Sequence, residues 1–455
     1  MTDAPHASSA RAAPRVQVVA RGFTGRRPDP GARELPPGQY LERGFPVMSI
    51  GPTPDVRTDA WRFTITTETG ERHSWTWDEF TRLPAENITT DLHCVTNWSK
   101  FDTTWRGVSV DTLLRDVNTD AKYVMAEGAD DYSTNLPLAD LCDGQAWIAY
   151  SYDGKPLAPE HGGPARLLVP HLYLWKSAKW VTGLRLMPDD DQGFWETLGY
   201  HDYGDPWREQ RYRSVDWEAA TVAGVREETP AARTLVLDVP GWPGDHLPGQ
   251  HVDVRLRSTD GYTAQRSYSI ASAPAAGGFE LTVQKIDGGE VSPWLTSQAR
   301  PGDQFEICGP IGGGFTWDPE ETAPPGEGGA PLLLIAGGSG IVPLMSIIRS
   351  NSRVAARLIY SARTPADVIY AAELAERPVA SAPGATFCYT RSAPPGEPVG
   401  RISGELLARA GFAPEEDPDI YICGPVAFVE SVASLLIAAG HDPAAIRTER
   451  FGPTG

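Results

Sequence analysis

The sequence predicts a multidomain chain: an α+β block of irregular strands, then a small antiparallel β-barrel, then a parallel α/β unit. Three observations carry that prediction. At 455 residues the chain is too long for one ordinary core. Between residues 218 and 318, short apolar runs are split by Gly and Pro turns, the texture of a barrel. From Leu332 onward, short apolar runs alternate with helical patterns, the mark of a parallel sheet covered by helices.

Taken in order, residues 15–212 are rich in Trp, Pro and His, with strand-like alternation at 62–67 and a short helix expected at 110–117. The second unit, 218–318, should place strands at 234–239, 251–256, 266–270, 279–285 and 304–307. A Pro/Gly/Glu-rich stretch, 319–331, reads as a surface loop or linker. The third unit, 328–455, should draw strands from 332–335, 357–360, 385–389 and 419–422, with helices at 344–350 and 426–439. No internal repeat is present.

Composition narrows the function classes. A net charge of -19 argues against nucleic acid, which needs clustered Lys and Arg, and against an anionic membrane surface. No apolar run approaches the roughly 20 residues of a membrane helix. The Ala/Ser/Pro-rich residues 1–14 read as a disordered lead. Arg26-Arg27 is followed by Pro28-Asp29-Pro30 where an export signal needs an apolar stretch, so a cytoplasmic location is expected. The five cysteines, Cys94, Cys142, Cys308, Cys388 and Cys423, have neither zinc nor iron-sulfur spacing, and their odd number argues against structural disulfides.

Leu332-Leu-Leu-Ile-Ala-Gly337-Gly338-Ser-Gly340-Ile-Val-Pro343 is a buried strand running into a Gly-rich turn and a helix, a place where backbone N–H groups meet a pyrophosphate. Upstream lie Arg266-Ser267-Tyr268-Ser269 and Gly288-Gly289-Glu-Val291-Ser292; downstream lies Cys423-Gly424-Pro425. These four motifs in this order resemble the ferredoxin–NADP reductase superfamily over about residues 218–455. The resemblance implies an FAD-binding barrel followed by a nucleotide-binding domain. Arg266 would pair with a flavin phosphate, Tyr268 would lie on the isoalloxazine and Ser269 would hydrogen-bond near its N5. Gly289, Val291 and Ser292 would hold the phosphates, and Gly337, Gly338 and Gly340 the nicotinamide nucleotide. Cys423, Gly424 and Pro425 would lie where hydride passes, with Phe451 covering the flavin until nicotinamide displaces it. Where an acidic residue would favour NADH, the sequence has Ser361-Ala362-Arg363, which suits the 2′-phosphate of NADPH; NADH remains the alternative.

In the first block, Asp91-Leu-His93-Cys94-Val-Thr-Asn-Trp98-Ser offers a thiolate of the kind a high-valent molybdenum takes from protein. It is followed by His161-Gly-Gly-Pro164-Ala-Arg166 and Lys176-Ser177-Ala-Lys179-Trp180. The pair resembles the sulfite oxidase superfamily over about residues 40–205, in particular the periplasmic methionine-sulfoxide reductase catalytic subunit and its cytosolic relatives. The resemblance implies a molybdopterin fold with Cys94 on molybdenum and His161 and Arg166 on the pterin. Ser177 and Lys179, with Lys176 beside them, would hold its phosphate. His161 stands where the family has Asn, and no Thr equivalent appears near Glu127-Gly128. Lys100, Arg106 and His93 are the nearby cations in place of the family's substrate arginines.

Together the resemblances imply an NAD(P)H-, FAD- and molybdopterin-dependent oxidoreductase acting on a small oxo-substrate such as a sulfoxide, N-oxide or nitrate. Two other readings stay open: a sulfite dehydrogenase running the other way, and a reductase serving a separate carrier or oxygenase beside a non-catalytic first domain. No haem or iron-sulfur segment separates the halves, so electrons would cross directly or by a separate carrier.

Overall fold

The computed structural model describes residues 17–26, 31–213, 216–242, 244–318, 329–351, 354–376 and 385–451. The lead expected at 1–14, the Arg27 to Pro30 part of the export-signal context, and residues 319–328 of the Pro/Gly/Glu-rich stretch lie outside these.

The first block is built on two sheets. One runs Tyr40–Leu41, Trp98–Ser109, Trp147–Tyr152, Arg166–Leu168, with Glu86–His93 paired to Trp98–Ser109 and Lys155–Pro156 to Trp147–Tyr152. The other runs Arg72–Thr76, Arg62–Thr66, Val181–Met187, Tyr123–Gly128, Ser133–Pro137. The alternation at Arg62–Thr66 buries Phe63 and Ile65 and leaves Arg62 in solvent. Phe63 and Ile65 join Val108, Ile148 and Leu167 of the first sheet in one core. The helix expected at 110–117 is shorter, Val110–Leu114, and is capped by the Ser109 hydroxyl accepting from Asp111 N at 3.2 Å.

The barrel strands appear as Ala232–Asp238, His251–Arg257, Thr263–Ser269, Gly278–Gln284 and Gln304–Ile311. A sixth strand, Glu218–Thr229, was not expected from sequence. A bulge between Val222 and Gly224 interrupts its alternation, and only Ala220 and Val222 are buried, so it has no strand-like pattern to detect. The sheet order is Thr263–Ser269, His251–Arg257, Gln304–Ile311, Glu218–Thr229, Ala232–Asp238, Gly278–Gln284, antiparallel throughout. Its two edges approach at the Ile270–Leu281 bridge.

The last unit is a parallel sheet in the order Thr386–Tyr389, Ala356–Ala362, Leu332–Gly337, Asp419–Pro425, Ile446–Phe451. Every residue of Leu332–Gly337 is buried, as a central strand covered on both faces requires. Strand order reverses beside it, so the crevice beyond the carboxyl ends of Leu332–Gly337 and Asp419–Pro425 is the ligand position this topology favours.

The units are interlocked rather than strung in a row. Residues 17–26, grouped by sequence with the first block, pack on the barrel instead. Ala20 and Phe23 enter its core, the Trp294 indole donates to Arg21 O at 2.9 Å, and Arg21 pairs with Asp303 at 2.6 Å. Residues 49–51 lie along the last strand of the parallel sheet. Thr448 N donates to Ile50 O at 2.6 Å, and the Arg450 guanidinium donates to Ser49 O at 2.6 Å and Gly51 O at 3.1 Å. Phe23→Ala is expected to cost about 3 kcal/mol of barrel stability through the cavity it leaves. The check is a lower urea midpoint for flavin release, with the first block's unfolding midpoint unchanged.

Candidate active site

Cys94 sits on a tight turn joining Glu86–His93 to Trp98–Ser109. Cys94 N donates to Trp98 O at 2.8 Å and Asn97 N to Cys94 O at 3.1 Å, and Asn97 takes the left-handed backbone (φ 71°) that closes the turn. The thiol is buried against Thr96, with Sγ 3.1 Å from the Thr96 hydroxyl, and burial pushes it up from its ordinary value. A metal cation at the sulfur would reverse that shift.

Beside it stand two cations that have backbone carbonyls for hydrogen-bond acceptors. Arg166 donates to His161 O at 2.9 Å and Ser177 O at 2.8 Å, and Lys179 donates to Glu160 O at 2.9 Å. Burial lowers Arg166 to about 10. Burial, then Arg166 and Arg450, lower Lys179 to about 7. Arg166 opposes the charge on Lys179 while Asp130 and Glu430 favour it, and two cations lining one cleft fit an anionic group such as the phosphate of a pterin. His161 lies flat on Phe45, with ring centroids 4.1 Å apart, and burial together with Lys179 and Arg166 takes it down to about 3. It is therefore a neutral imidazole at working pH, able both to donate and to accept a hydrogen bond.

Lys176 does not join this group. It closes the short turn Leu174–Lys176, is fully buried, and its ammonium is held by Glu196 at 2.6 Å and by Asn135 O and Oδ1 at 2.7 and 2.9 Å. The substrate-side cations also point elsewhere. Lys100 donates to Arg43 O, Arg106 to Tyr150 and Asn87, and His93 is tied to Ser99. None of the three lines the cleft described next.

One cleft of about 2850 Å³ opens between the units. Cys94, His161, Arg166, Ser177 and Lys179 line it from the first block; Arg266, Tyr268, Ser269, Gly289, Val291 and Ser292 line it from the barrel; Arg363, Cys423 and Phe451 line it from the parallel sheet. Ordinary ligand pockets run to roughly 1,000 Å³, so this one has room for more than one large cofactor. The barrel helix Val291–Ser297 and the helix Ile341–Ser350 both start without a side-chain cap, and the Ile341 N–H is taken up by the preceding turn through Gly338 O and Ser339 O. The Arg266 guanidinium rests 3.9 Å over the Tyr40 ring of the first block.

Gly337, Gly338, Gly340, Gly424 and Pro425 lie at the carboxyl ends of Leu332–Gly337 and Asp419–Pro425 but do not line the cleft, which Ser339 and Pro343 beside them do reach. Gly338 takes φ +58°, and a methyl on Gly340 would come within 2.1 Å of Cys423 O, so the two strand ends meet only through glycine. Ser361 is buried and does not line the cleft. Three residues went unread in the sequence: Glu449, His251 and Arg211 all line the cleft. Glu449 Oε2 lies 3.9 Å from Cys423 Sγ, and burial pushes its carboxyl up to about 7. No local pattern marks them, because each reaches the cleft through tertiary packing. Among the described residues, no helix is long and apolar enough to cross a membrane, and no group of three His, Cys, Asp or Glu could hold a metal ion.

Residues 50–195 match the family model described as oxidoreductase molybdopterin binding domain, 224–316 that of the oxidoreductase FAD-binding domain, and 334–434 that of the oxidoreductase NAD-binding domain. The chain is similar to the uncharacterized oxidoreductase YuiH of Bacillus subtilis, 36% identical over 181 residues, which are 39% of this chain and 91% of that protein. It is similar to the putative protein-methionine-sulfoxide reductase subunit YedZ1 of Azospira oryzae, 34% identical over 37% of this chain and 66% of that one. It is also similar to the glycine betaine monooxygenase reductase subunit of Pseudomonas aeruginosa, 32% identical over 46% of this chain and 56% of that one. The chain thus spans less than two thirds of the last two.

Replacing Lys179 with Met should remove a charge-assisted contact of about 1.5–3 kcal/mol, and so lower pterin retention by roughly tenfold or more. FAD content should stay unchanged; both are read by cofactor analysis of the purified protein. In pterin-free protein, Lys179 sits at about 7 against its ordinary 10.5, so the unfolded chain binds the extra proton between those values. The group's cost to stability is full below about pH 7 and is relieved as pH rises toward 10.5. Lys179→Met should abolish that rise in urea midpoints.

Proposed function

Because the chain belongs to the molybdopterin-binding oxidoreductases, with FAD- and NAD-binding domains of the ferredoxin-reductase type fused behind its molybdopterin domain, we propose that it uses NAD(P)H to remove oxygen from a small oxo-substrate, a sulfoxide, an N-oxide or nitrate. It is an NAD(P)H-dependent oxidoreductase, and electron flow toward molybdenum is the reading the site supports best. The observation that carries it is the single cleft lined at once by Cys94, by the flavin motif Arg266-Ser267-Tyr268-Ser269 and by Cys423.

When bound, the cofactors would supply the redox chemistry: the nicotinamide as hydride donor, the flavin as the bridge between hydride and single-electron transfer, and molybdenum as the centre that would take up oxygen. The chain's own residues do the rest. Arg166, Ser177 and Lys179 bind the pterin phosphate and His161 orients the ring system. Arg266 and the start of Val291–Ser297 hold the flavin phosphates. Phe451, beside Pro425 in the sheet register, covers the flavin face until nicotinamide takes its place. Glu449, held half-protonated near neutral pH beside Cys423, is placed to take or return a proton at the hydride site. The putative methionine-sulfoxide reductase assignment of YedZ1 supports an oxo-substrate. Supply of NAD(P)H fits a cytoplasmic setting. A second reading, in which the reductase half also serves a separate electron carrier, is favoured by the likeness to the glycine betaine monooxygenase reductase subunit.

Cys94→Ser should lower NAD(P)H-linked reduction of the oxo-substrate by about 100-fold or more, as loss of a metal ligand does, and leave NAD(P)H–ferricyanide activity intact. Oxo-substrate turnover that survives the change would overturn the reading. Arg363 lines the cleft and is anchored to Asp367 at 3.4 Å, so Arg363→Ala should raise KM for NADPH by roughly tenfold and leave that for NADH unchanged in steady-state assays.

A further inference from the structure

The Cys94 turn and the flavin strand are joined by a buried network whose centre is Arg211. Its guanidinium donates to Val95 O, beside Cys94, and pairs with Asp253 Oδ2 at 2.6 Å; both side chains are almost wholly buried. Asp253 Oδ1 accepts from the Ser267 hydroxyl at 2.6 Å, and Ser267 lies between Arg266 and Tyr268. A second link runs beside the first. Gln265 Nε2 donates to Asn97 Oδ1 at 3.2 Å, and both residues are buried. A third brings Tyr40, whose backbone N donates to Asn97 O at 2.8 Å, under the Arg266 guanidinium. Gly38 packs on Gln265 so closely that a methyl there would come within 1.9 Å of the Gln265 amide nitrogen.

An ion pair buried between two units is a weak source of stability, because desolvation offsets most of its attraction; what it supplies is a fixed geometry. A domain that had to swing between partners would not bury one. The aromatic side chains Trp175, Tyr200 and Tyr212 fill the wall beside Arg211, with Trp175 and Tyr200 centroids 5.4 Å apart and Tyr200 and Tyr212 5.2 Å apart.

We propose that Arg211 and Asp253 are positioning residues that lock the Cys94 turn to the flavin strand, so that electrons pass between flavin and molybdenum inside one chain without a carrier. This rests on the proposed function and adds to it the route. Each turnover moves two electrons from the reduced flavin, which loses one proton and returns to its oxidised form, to the metal, which falls from Mo(VI) to Mo(IV).

The test uses full-length protein loaded with FAD and molybdopterin, as Arg211→Gln and as the double variant Arg211→Met with Asp253→Leu. The double change removes both charges and keeps the volume, so it folds even where the single change does not. Three rates are read: flavin bleaching on mixing with NADPH, oxidation of reduced methyl viologen by trimethylamine N-oxide, and growth of the Mo(V) EPR signal after NADPH. The first two should stay within about twofold of the native values, and the third should slow by roughly tenfold or more, the scale of a misplacement of about 1 Å. Amide exchange should rise together at residues 94–98 and 265–268 and nowhere else. An unchanged Mo(V) rate overturns the proposal, and so does an equal fall in all three rates, which would mark a merely structural role. The Mo(V) measurement needs no oxo-substrate, so it decides this inference even where the N-oxide assay fails and the proposed function with it.

Discussion

The junction of the two halves is centred on a buried ion pair, Arg211 with Asp253, with the Gln265–Asn97 and Arg266–Tyr40 contacts beside it. Neither charge has solvent to fall back on, so the pair needs its neighbours: Val95 O accepts from the Arg211 guanidinium and the Ser267 hydroxyl donates to Asp253 Oδ1. That requirement reaches in both directions. On one side it fixes the turn carrying Cys94; on the other it fixes the strand carrying Arg266 and Tyr268. The strap at Ser49 to Gly51 on the last strand of the parallel sheet, and residues 17–26 on the barrel, hold the rest of the interface in the same register.

The electrostatics of the cleft run against those of the chain. A protein of net charge -19 concentrates Arg166, Lys179 and Arg266 around one cavity. The acidic surface keeps polyanions such as nucleic acid away, while the interior presents cations to ligands small enough to enter. The cations have different fates. Lys176 is held by Glu196 and serves the fold, whereas Lys179 lines the cleft, where burial, then Arg166 and Arg450, lower it. His161 completes the arrangement as a neutral ring among these charges.

The reductase half was legible because its motifs are contiguous: a Gly-rich turn after a buried strand, and an Arg-x-Tyr-Ser strand, announce themselves within a few residues. The strand Glu218–Thr229 was not, since the bulge between Val222 and Gly224 breaks the alternation that marks a strand. In the first block, the Lys176-Ser177-Ala178-Lys179 string offers two lysines for the one phosphate contact that the resemblance implies. Which lysine faces it is decided by the turn Leu174–Lys176, which sends Lys176 inward to Glu196. Ser361 is buried and lies off the cleft, while Arg363 two residues later lines it. The junction itself had no sequence signature. Val95, Arg211 and Asp253 meet across long chain separations, and only the packing of the units brings them together. The sequence therefore raised the question of how electrons cross between the halves without indicating the route.

That the two redox sites work within one chain is tested most directly by anaerobic mixing of NADPH with the fully loaded protein at several protein concentrations and no added carrier. The account predicts a Mo(V) signal that follows flavin reduction at a rate independent of protein concentration. A rate that rises in proportion to protein concentration, or a reduced flavin that leaves molybdenum oxidised until a carrier is added, would contradict it.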